Sequence, residues 1–423
     1  MIQKPIDFYK QLHANFPFLA TEKQDVMLKL LSIFIFETDK ESLFLLKGYA
    51  GTGKTTVIST FVNTLQFAGK KAVLLAPTGR AAKVISVYSQ RPAFTIHKKI
   101  YFPKKQSNGS LSFVLQPNKH TNTFFIVDEA SMIPDEKQHQ NSFESSSLLD
   151  DLISYVYSGK NCKLIFVGDT AQLPPVKLTM SPALDSDILT KHYFKDVKEI
   201  ELDEVMRQHE NSGVLFNATQ LRKLIQNDGN PFQFQIKFPD IKRLEDGYEI
   251  EDAILDAYNS NGVEDTAFIV RSNKRANEYN RQIRMQIRGQ ENMISTGDYI
   301  MIVKNNYFWL DEISQAGFIA NGDICEVLRI FSIKEIYGFS FAEVTLRMID
   351  YPEMVPFETV LLLDTLTSES PSLTYEESNK LYQAIREDYA EETSNYKQLL
   401  AIKKNPYFNA LQVKFSYAIT CHK

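Results

Sequence analysis

Short apolar or β-branched runs recur at residues 43–47, 72–76, 123–127, 163–167 and 197–202, separated by helical patterns or by loops. A strand covered on both faces reads as an unbroken apolar run, and strands that alternate with helices imply parallel crossovers. The pattern predicts an α/β fold with a parallel sheet flanked by helices. The stretch from Ile100 to Gln116 breaks the alternation and carries Asn108-Gly109, residues that tolerate the positive φ of a tight turn, so it predicts a β-hairpin insert. The polar stretch between Asp135 and Ser147 reads as a mobile surface loop. Further on, 211–227 predicts a helix and 266–270 a buried strand that opens a second α/β domain. Strand patterns at 298–303, 324–330 and 342–349, with a turn at Asn321-Gly322-Asp323, predict a small all-β insert. Residues 374–404 read as a long helix, and 411–419 as a strand returning to the second domain.

At 423 residues the chain exceeds what one hydrophobic core usually holds, in keeping with two domains. Its 43% hydrophobic and 23% charged residues are those of an ordinary soluble protein. The N-terminus shows no apolar signal core and the sequence no long uncharged apolar run, which favours a cytoplasmic protein without a membrane partner. Cys162, Cys325 and Cys421 match no metal-ligand spacing and read as reduced structural thiols. A net charge of −5 excludes a surface that is basic all over, but a local cationic track remains open. Two segments could supply one: His97-Lys98-Lys99 with Lys104-Lys105, and the run Arg271, Lys274, Arg275, Arg281, Arg284, Arg288, which fits a solvated helix face equally well.

The strongest chemical signal is Gly48-Tyr49-Ala50-Gly51-Thr52-Gly53-Lys54-Thr55, placed between the apolar run at 43–46 and the amphipathic stretch 56–67. Glycines let backbone N–H groups converge on phosphates, Lys54 can reach the β- and γ-phosphates, and the Thr55 hydroxyl is placed for Mg²⁺. This pattern predicts a bound nucleoside triphosphate. The run ending at Val127 leads into Asp128-Glu129, carboxylates suited to Mg²⁺ and to deprotonating an attacking water, although acidic residues also begin helices by opposing the dipole. The run ending at Val167 leads to Gln172, a candidate sensor of the γ-phosphate or simply part of a proline-rich exit loop.

These stretches resemble, in order, the motifs of a superfamily 1B helicase of the RecD/Dda-like group. The matching segments are residues 48–56, Leu75-Ala76-Pro77-Thr78-Gly79-Arg80-Ala81-Ala82, Thr95-Ile96-His97-Lys98, Asp128-Glu129-Ala130-Ser131, residues 168–175, Glu204-Val205-Met206-Arg207-Gln208, and Tyr417-Ala418-Ile419-Thr420-Cys421-His422-Lys423. The resemblance implies two RecA-like P-loop domains. The first comprises 1–90 and 122–209, with a β-hairpin insert at 91–121; the second comprises 210–297 and 405–423, with an SH3-like insert and long helix at 298–404.

It also implies an ATP-dependent enzyme that moves 5′ to 3′ on single-stranded DNA and acts at single/double-strand junctions, as a monomeric motor in repair, recombination or replication. ATP would be held by Gln24, Gly48, Gly51, Thr52, Gly53, Lys54, Thr55 and Thr56, with Gln24 reading adenine. Mg²⁺ would be held by Thr55 and Asp128, and catalysis would involve Lys54, Asp128, Glu129, Gln172 and Arg207, the last as an arginine finger. DNA contacts would come from Pro77, Thr78, Arg80, His97, Asn306, Thr420 and His422. The hairpin corresponds to a strand-separating pin, where Tyr101, Phe102 or Phe113 could stack at the junction or pack the hairpin on its domain. The sequence ends inside the motif that contains Thr420, so the second α/β domain is expected to be incomplete. A nucleotide-gated single-strand binder with little unwinding, an RNA track and an unrelated P-loop kinase or GTPase are the competing readings.

Overall fold

A computed structural model describes the chain except Met1 and residues 106–110, 135–146, 176–177, 205–211, 227–230, 312–313, 315, 393 and 421–423. The expected loop at 135–147 and the turn at Asn108-Gly109 therefore lie, wholly or almost wholly, outside the described residues. The chain divides between Arg243 and Leu244 into two compact units.

The first unit contains strands β1 (Ser42–Gly48), β2 (Lys71–Ala76), β3 (Ala93–Thr95), β4 (Tyr101–Lys105), β5 (Leu111–Leu115), β6 (Thr123–Val127), β7 (Lys163–Gly168) and β8 (Asp196–Leu202). Its helices are α1 (Pro5–Ala14), α2 (Glu22–Phe34), α3 (Lys54–Thr64), α4 (Gly79–Ser89), α5 (Ile96–Ile100), α6 (Leu148–Ser158), α7 (Ser186–Lys191) and α8 (Gly213–Gln226). Six strands form a parallel sheet in the order β3-β2-β6-β7-β1-β8, and β4 and β5 pair as an antiparallel hairpin. Successive strand side chains point to opposite faces. Phe44, Leu46, Phe124, Ile126, Ile165 and Val167 pack with α1, α2, α3 and α4 on one face. Leu43, Leu45, Phe125, Val127, Leu164 and Phe166 pack with α5, α6 and α7 on the other. Burial on both faces is why these strands read as unbroken apolar runs.

Helix α8, which the sequence groups with the second domain, belongs to the first unit. Arg222 ties it to the rest of that unit, its guanidinium lying 4.7 Å from the centroid of the Tyr49 ring, while the Gly213 N–H, which donates to Asp240 Oδ1 at 2.8 Å, and the Asn217 amide, which pairs with the backbone of Gln235, bind it to the segment that follows.

The second unit contains α9 (Gly247–Asn261), β9 (Phe268–Val270), α10 (Asn273–Gln282), β10 (Tyr299–Ile302), β11 (Ile324–Ile336), β12 (Phe339–Met348), β13 (Phe357–Leu362), α11 (Asp364–Thr367), α12 (Tyr375–Glu387), α13 (Asn395–Lys404), β14 (Leu411–Phe415) and β15 (Ala418–Thr420). Strands β10 to β14 close a barrel around Ile300, Val327, Val344, Leu346, Leu361 and Val413. The β11–β12 hairpin turns at Tyr337 and Gly338, at φ 57° and 73°, the double positive φ that matches strand twist in a two-residue turn.

The stretch 411–419, expected as one strand, is two: β14 closes the barrel, and β15 pairs in parallel with β9. The helix expected over 374–404 is likewise broken, because α12 and α13 fold back to back so that Leu381, Ile385 and Ile402 all cover Phe339, Phe341, Val360 and Leu362. Strand β9 is not buried as expected; Ile269 is 64% exposed, since among the described residues its sheet is only the β15–β9 pair. Among the described residues no helix is long and apolar enough to cross a membrane.

The arginine run also needs correction. Arg284 is buried and clamps both carboxylate oxygens of fully buried Asp298 at 2.9 Å, and Arg288 donates to the Gly297 carbonyl at 2.8 Å. These two side chains serve the fold and not a surface track, because Asp298 also accepts from the Tyr417 hydroxyl and the Ser295 N–H and requires the arginine's charge. Asp298→Ala should cost about 3–5 kcal/mol by leaving Arg284 buried and unpaired. Urea denaturation measures this; a loss below about 1 kcal/mol would contradict the assignment.

Candidate nucleotide site

The strand order decides the site. Strands β1, β7 and β6 are consecutive neighbours, so at about 4.8 Å per strand their carboxyl ends span roughly 10 Å. The loop after β1, the segment after β7 and the two acids after β6 are thereby brought side by side, at the sheet edge where open α/β folds bind ligands.

In the loop after β1, Gly51 and Gly53 adopt φ of 81° and 85°, left-handed conformations that favour glycine. A Cβ on Gly53 would lie 2.6 Å from Gln24 Nε2. Gln24 is buried at the start of α2, where its Oε1 accepts from the Thr21 N–H at 3.1 Å and its Nε2 donates to the Thr52 carbonyl at 3.0 Å. The Thr52 hydroxyl donates to the Tyr49 carbonyl at 2.8 Å. Lys54 Nζ donates to the carbonyls of Gly48 and Tyr49 at 2.6 and 2.9 Å, folding the loop over itself. Burial pushes the Lys54 ammonium below the ordinary lysine range, opposed by the carboxylates of Asp169, Glu129 and Asp128. Thr55 and Thr56 occupy the first turn of α3.

The acids after β6 are held by their own backbone. Glu129 has a φ of 54°, unusual for a residue with a side chain, and its N–H donates to Asp128 Oδ1 at 3.0 Å. Burial raises the Asp128 pKa. Burial, and then the charge of Asp128, raises that of Glu129, with Lys54 and a hydrogen bond from Gln172 opposing. Gln172 Oε1 accepts from the Ser131 hydroxyl at 2.9 Å, which orients the amide so that its NH₂ faces Glu129. A carboxylate lifted toward neutrality beside a fixed ammonium and a polar amide can accept a proton from water.

One residue of this cluster is absent from the sequence reading. Asp169, buried directly after β7, accepts from the Ala50 N–H at 3.0 Å and from the Ala171 N–H at 2.8 Å, so it holds the phosphate-loop backbone. Its signal in the sequence was an acid following an apolar run, the same that marked Asp128, within the stretch 168–175 that resembles a helicase motif. Asp169→Ala should weaken nucleotide binding about 10- to 100-fold, the worth of a hydrogen bond to a charged group. Calorimetric titration with a non-hydrolysable triphosphate measures it, and unchanged affinity would remove Asp169 from the site.

The other residues singled out from the sequence lie elsewhere. Register pairs Ala76 of β2 with Thr95 of β3, so Pro77, Thr78, Arg80 and His97 gather at the sheet edge away from β1. Thr78 Oγ1 accepts from the Ala81 N–H at 3.3 Å as the cap of α4, and the exposed His97 ring lies 5.7 Å from that of Tyr101. Tyr101 donates to Asp151 at 2.6 Å and so packs the hairpin on α6, whereas Phe102 is 41% exposed. In the second unit, half-buried Asn306 uses both ends of its amide within its own unit, donating to the Asn409 carbonyl and accepting from the Phe308 N–H, each at 2.9 Å. Thr420 is buried at the end of β15. Arg207, His422, Cys421 and the side chain of Phe113 are outside the described residues.

Residues 35–224 match the family model described as an AAA domain. The ATP-dependent RecD2 DNA helicase of Deinococcus radiodurans is 32% identical over 162 residues, covering 37% of this chain and 20% of that protein. The ATP-dependent DNA helicase dda of Enterobacteria phage T4 is 31% identical over 187 residues, covering 44% of this chain and 38% of that protein. The match thus spans well under half the length of these curated relatives. A solved structure of the Pif1 helicase from Bacteroides, in complex with ADP-AlF3 and ssDNA, covers 81% of this chain and 74% of that one, with a TM-score of 0.42 and 16% identity.

Proposed function

We propose that the chain is a member of the RecD/Dda-like group of superfamily 1B and an ATP-driven motor on single-stranded DNA; the AAA-domain match over residues 35–224 and the similarity to the RecD2 and dda helicases support this reading. The observation that carries the reading is the meeting of the Lys54 loop, Asp128-Glu129, Asp169 and Gln172 at the ends of three adjacent strands. The triphosphate sits on the loop amides with Lys54 leaving the Gly48 and Tyr49 carbonyls for the phosphates. Glu129 takes the proton of the attacking water. Gln172, bonded to Ser131 and Glu129, registers whether the terminal phosphate is present.

Thr55 and Asp128 offer hard oxygen donors that suit Mg²⁺; the Asp128 carboxylate is buried and, among the described residues, accepts on one oxygen only. Among the described residues no cluster of three His, Cys, Asp or Glu side chains could hold a metal alone, so the ion would arrive with the phosphates. When bound, it neutralises charge developing on the phosphoryl oxygens.

The strand of DNA runs past Pro77, Thr78, Arg80 and His97, with the hairpin of 91–121 standing at the junction and the exposed Phe102 as its stacking residue. Movement is 5′ to 3′, by a monomer. Recognition is by backbone phosphates and stacking, so affinity falls steeply with salt and is insensitive to sequence. The test is ATP hydrolysis with and without single-stranded DNA. Stimulation by DNA is expected; binding of ATP and DNA without stimulation would replace the motor by a nucleotide-gated binder, and stimulation by RNA alone would change the track.

A further inference from the structure

The first variable position of the phosphate loop is aromatic, and its ring is covered by a cation from a distant helix. The guanidinium of Arg222, on α8, lies 4.7 Å from the centroid of the Tyr49 ring. Tyr49 is also the residue whose carbonyl accepts from Lys54 and from the Thr52 hydroxyl, so a shift of Tyr49 is felt at the lysine. Through Tyr49, the Arg222 guanidinium and the Lys54 ammonium engage the same residue of the loop. Two cations that repel across one loop are both satisfied by a polyanion placed between them. An aromatic face is a weak partner for a guanidinium, whereas a phosphate offers paired, charge-assisted hydrogen bonds.

We propose that Arg222 is a phosphate-sensing residue: it rests on Tyr49 and moves to the terminal phosphate when a triphosphate loads, carrying α8 with it. The inference rests on the nucleotide reading above. The output is built into the same helix. Asp240 accepts from the N–H groups of Gly213 and Val214 and from the Ser212 hydroxyl, while Asn217 exchanges hydrogen bonds with Gln235 at 2.8 and 2.9 Å. Residues 235 and 240 are thus strapped to α8, and its movement is passed along the segment that runs to Arg243, the last residue of the first unit.

The experiment titrates a non-hydrolysable ATP analogue and ADP into wild type, Arg222→Gln, Arg222→Lys and Tyr49→Leu. Arg222→Gln should weaken the triphosphate about tenfold, a charge-assisted hydrogen bond's worth, and ADP less than twofold. Arg222→Lys keeps the charge without the fork and should fall between; it decides the matter if the glutamine variant does not fold. Tyr49→Leu removes only the resting place and should keep the preference for triphosphate. Equal losses for both nucleotides, or none, would reduce Arg222 to a packing residue and overturn the proposal. If wild type binds neither nucleotide, the underlying site reading fails instead, and that outcome is separate.

Discussion

Glu129→Gln leaves triphosphate affinity close to that of wild type and lowers ATP turnover about 100- to 10,000-fold, the usual worth of a positioned general base. The reason is local. Glutamine keeps the shape, the hydrogen bond to Gln172 and the left-handed turn after Asp128, and loses only the ability to take a proton. The same variant carries a pH signature. Burial and the Asp128 charge raise the Glu129 pKa, so the folded protein binds this proton more tightly than the unfolded chain does. Stability of the ligand-free, metal-free protein then declines as pH rises from the ordinary glutamate range through the raised one. Thermal melts against pH should show a shallower decline for Glu129→Gln than for wild type. Normal turnover would remove Glu129 from the chemistry, and identical melting profiles would contradict the buried-carboxylate argument.

Lys54→Ala is expected to lose nucleotide affinity and turnover together, with turnover falling about 100- to 1,000-fold, as when a single preorganised donor to a developing anion is deleted. Lys54 donates to two loop carbonyls, and burial disfavours its charge until phosphates arrive. Alanine leaves those carbonyls without their donor and the phosphates without a counter-charge. Equilibrium binding and steady-state hydrolysis measured on one preparation separate the two losses. Unimpaired binding of ATP would contradict the placement of the phosphates on this loop.

The strands at 43–47 and 123–127 were legible because burial on both faces leaves no polar alternation, a property written locally in the chain. The loop at 48–55 was legible because its requirements, glycines at positive φ followed by Lys-Thr, are also local. Arg284 and Arg288 were misread because a basic residue looks the same in sequence whether it faces solvent or a buried aspartate; only the packing of Asp298 and Tyr417 distinguishes them. The strand at 411–419 was misread because closing a barrel and pairing with β9 are choices made by partners more than 100 residues away.

By itself, then, the sequence determined the parallel α/β character of the first unit, the phosphate loop and the carboxylate pair that follows β6, since each is encoded in a few contiguous residues. Only the tertiary structure decided that β7 stands between β1 and β6, that Asp169 holds the Ala50 amide, and that Arg222 lies on the ring of Tyr49. Those are contacts between residues far apart in the chain, and strand order is set by how the helices cover both faces of the sheet, information that no local pattern carries.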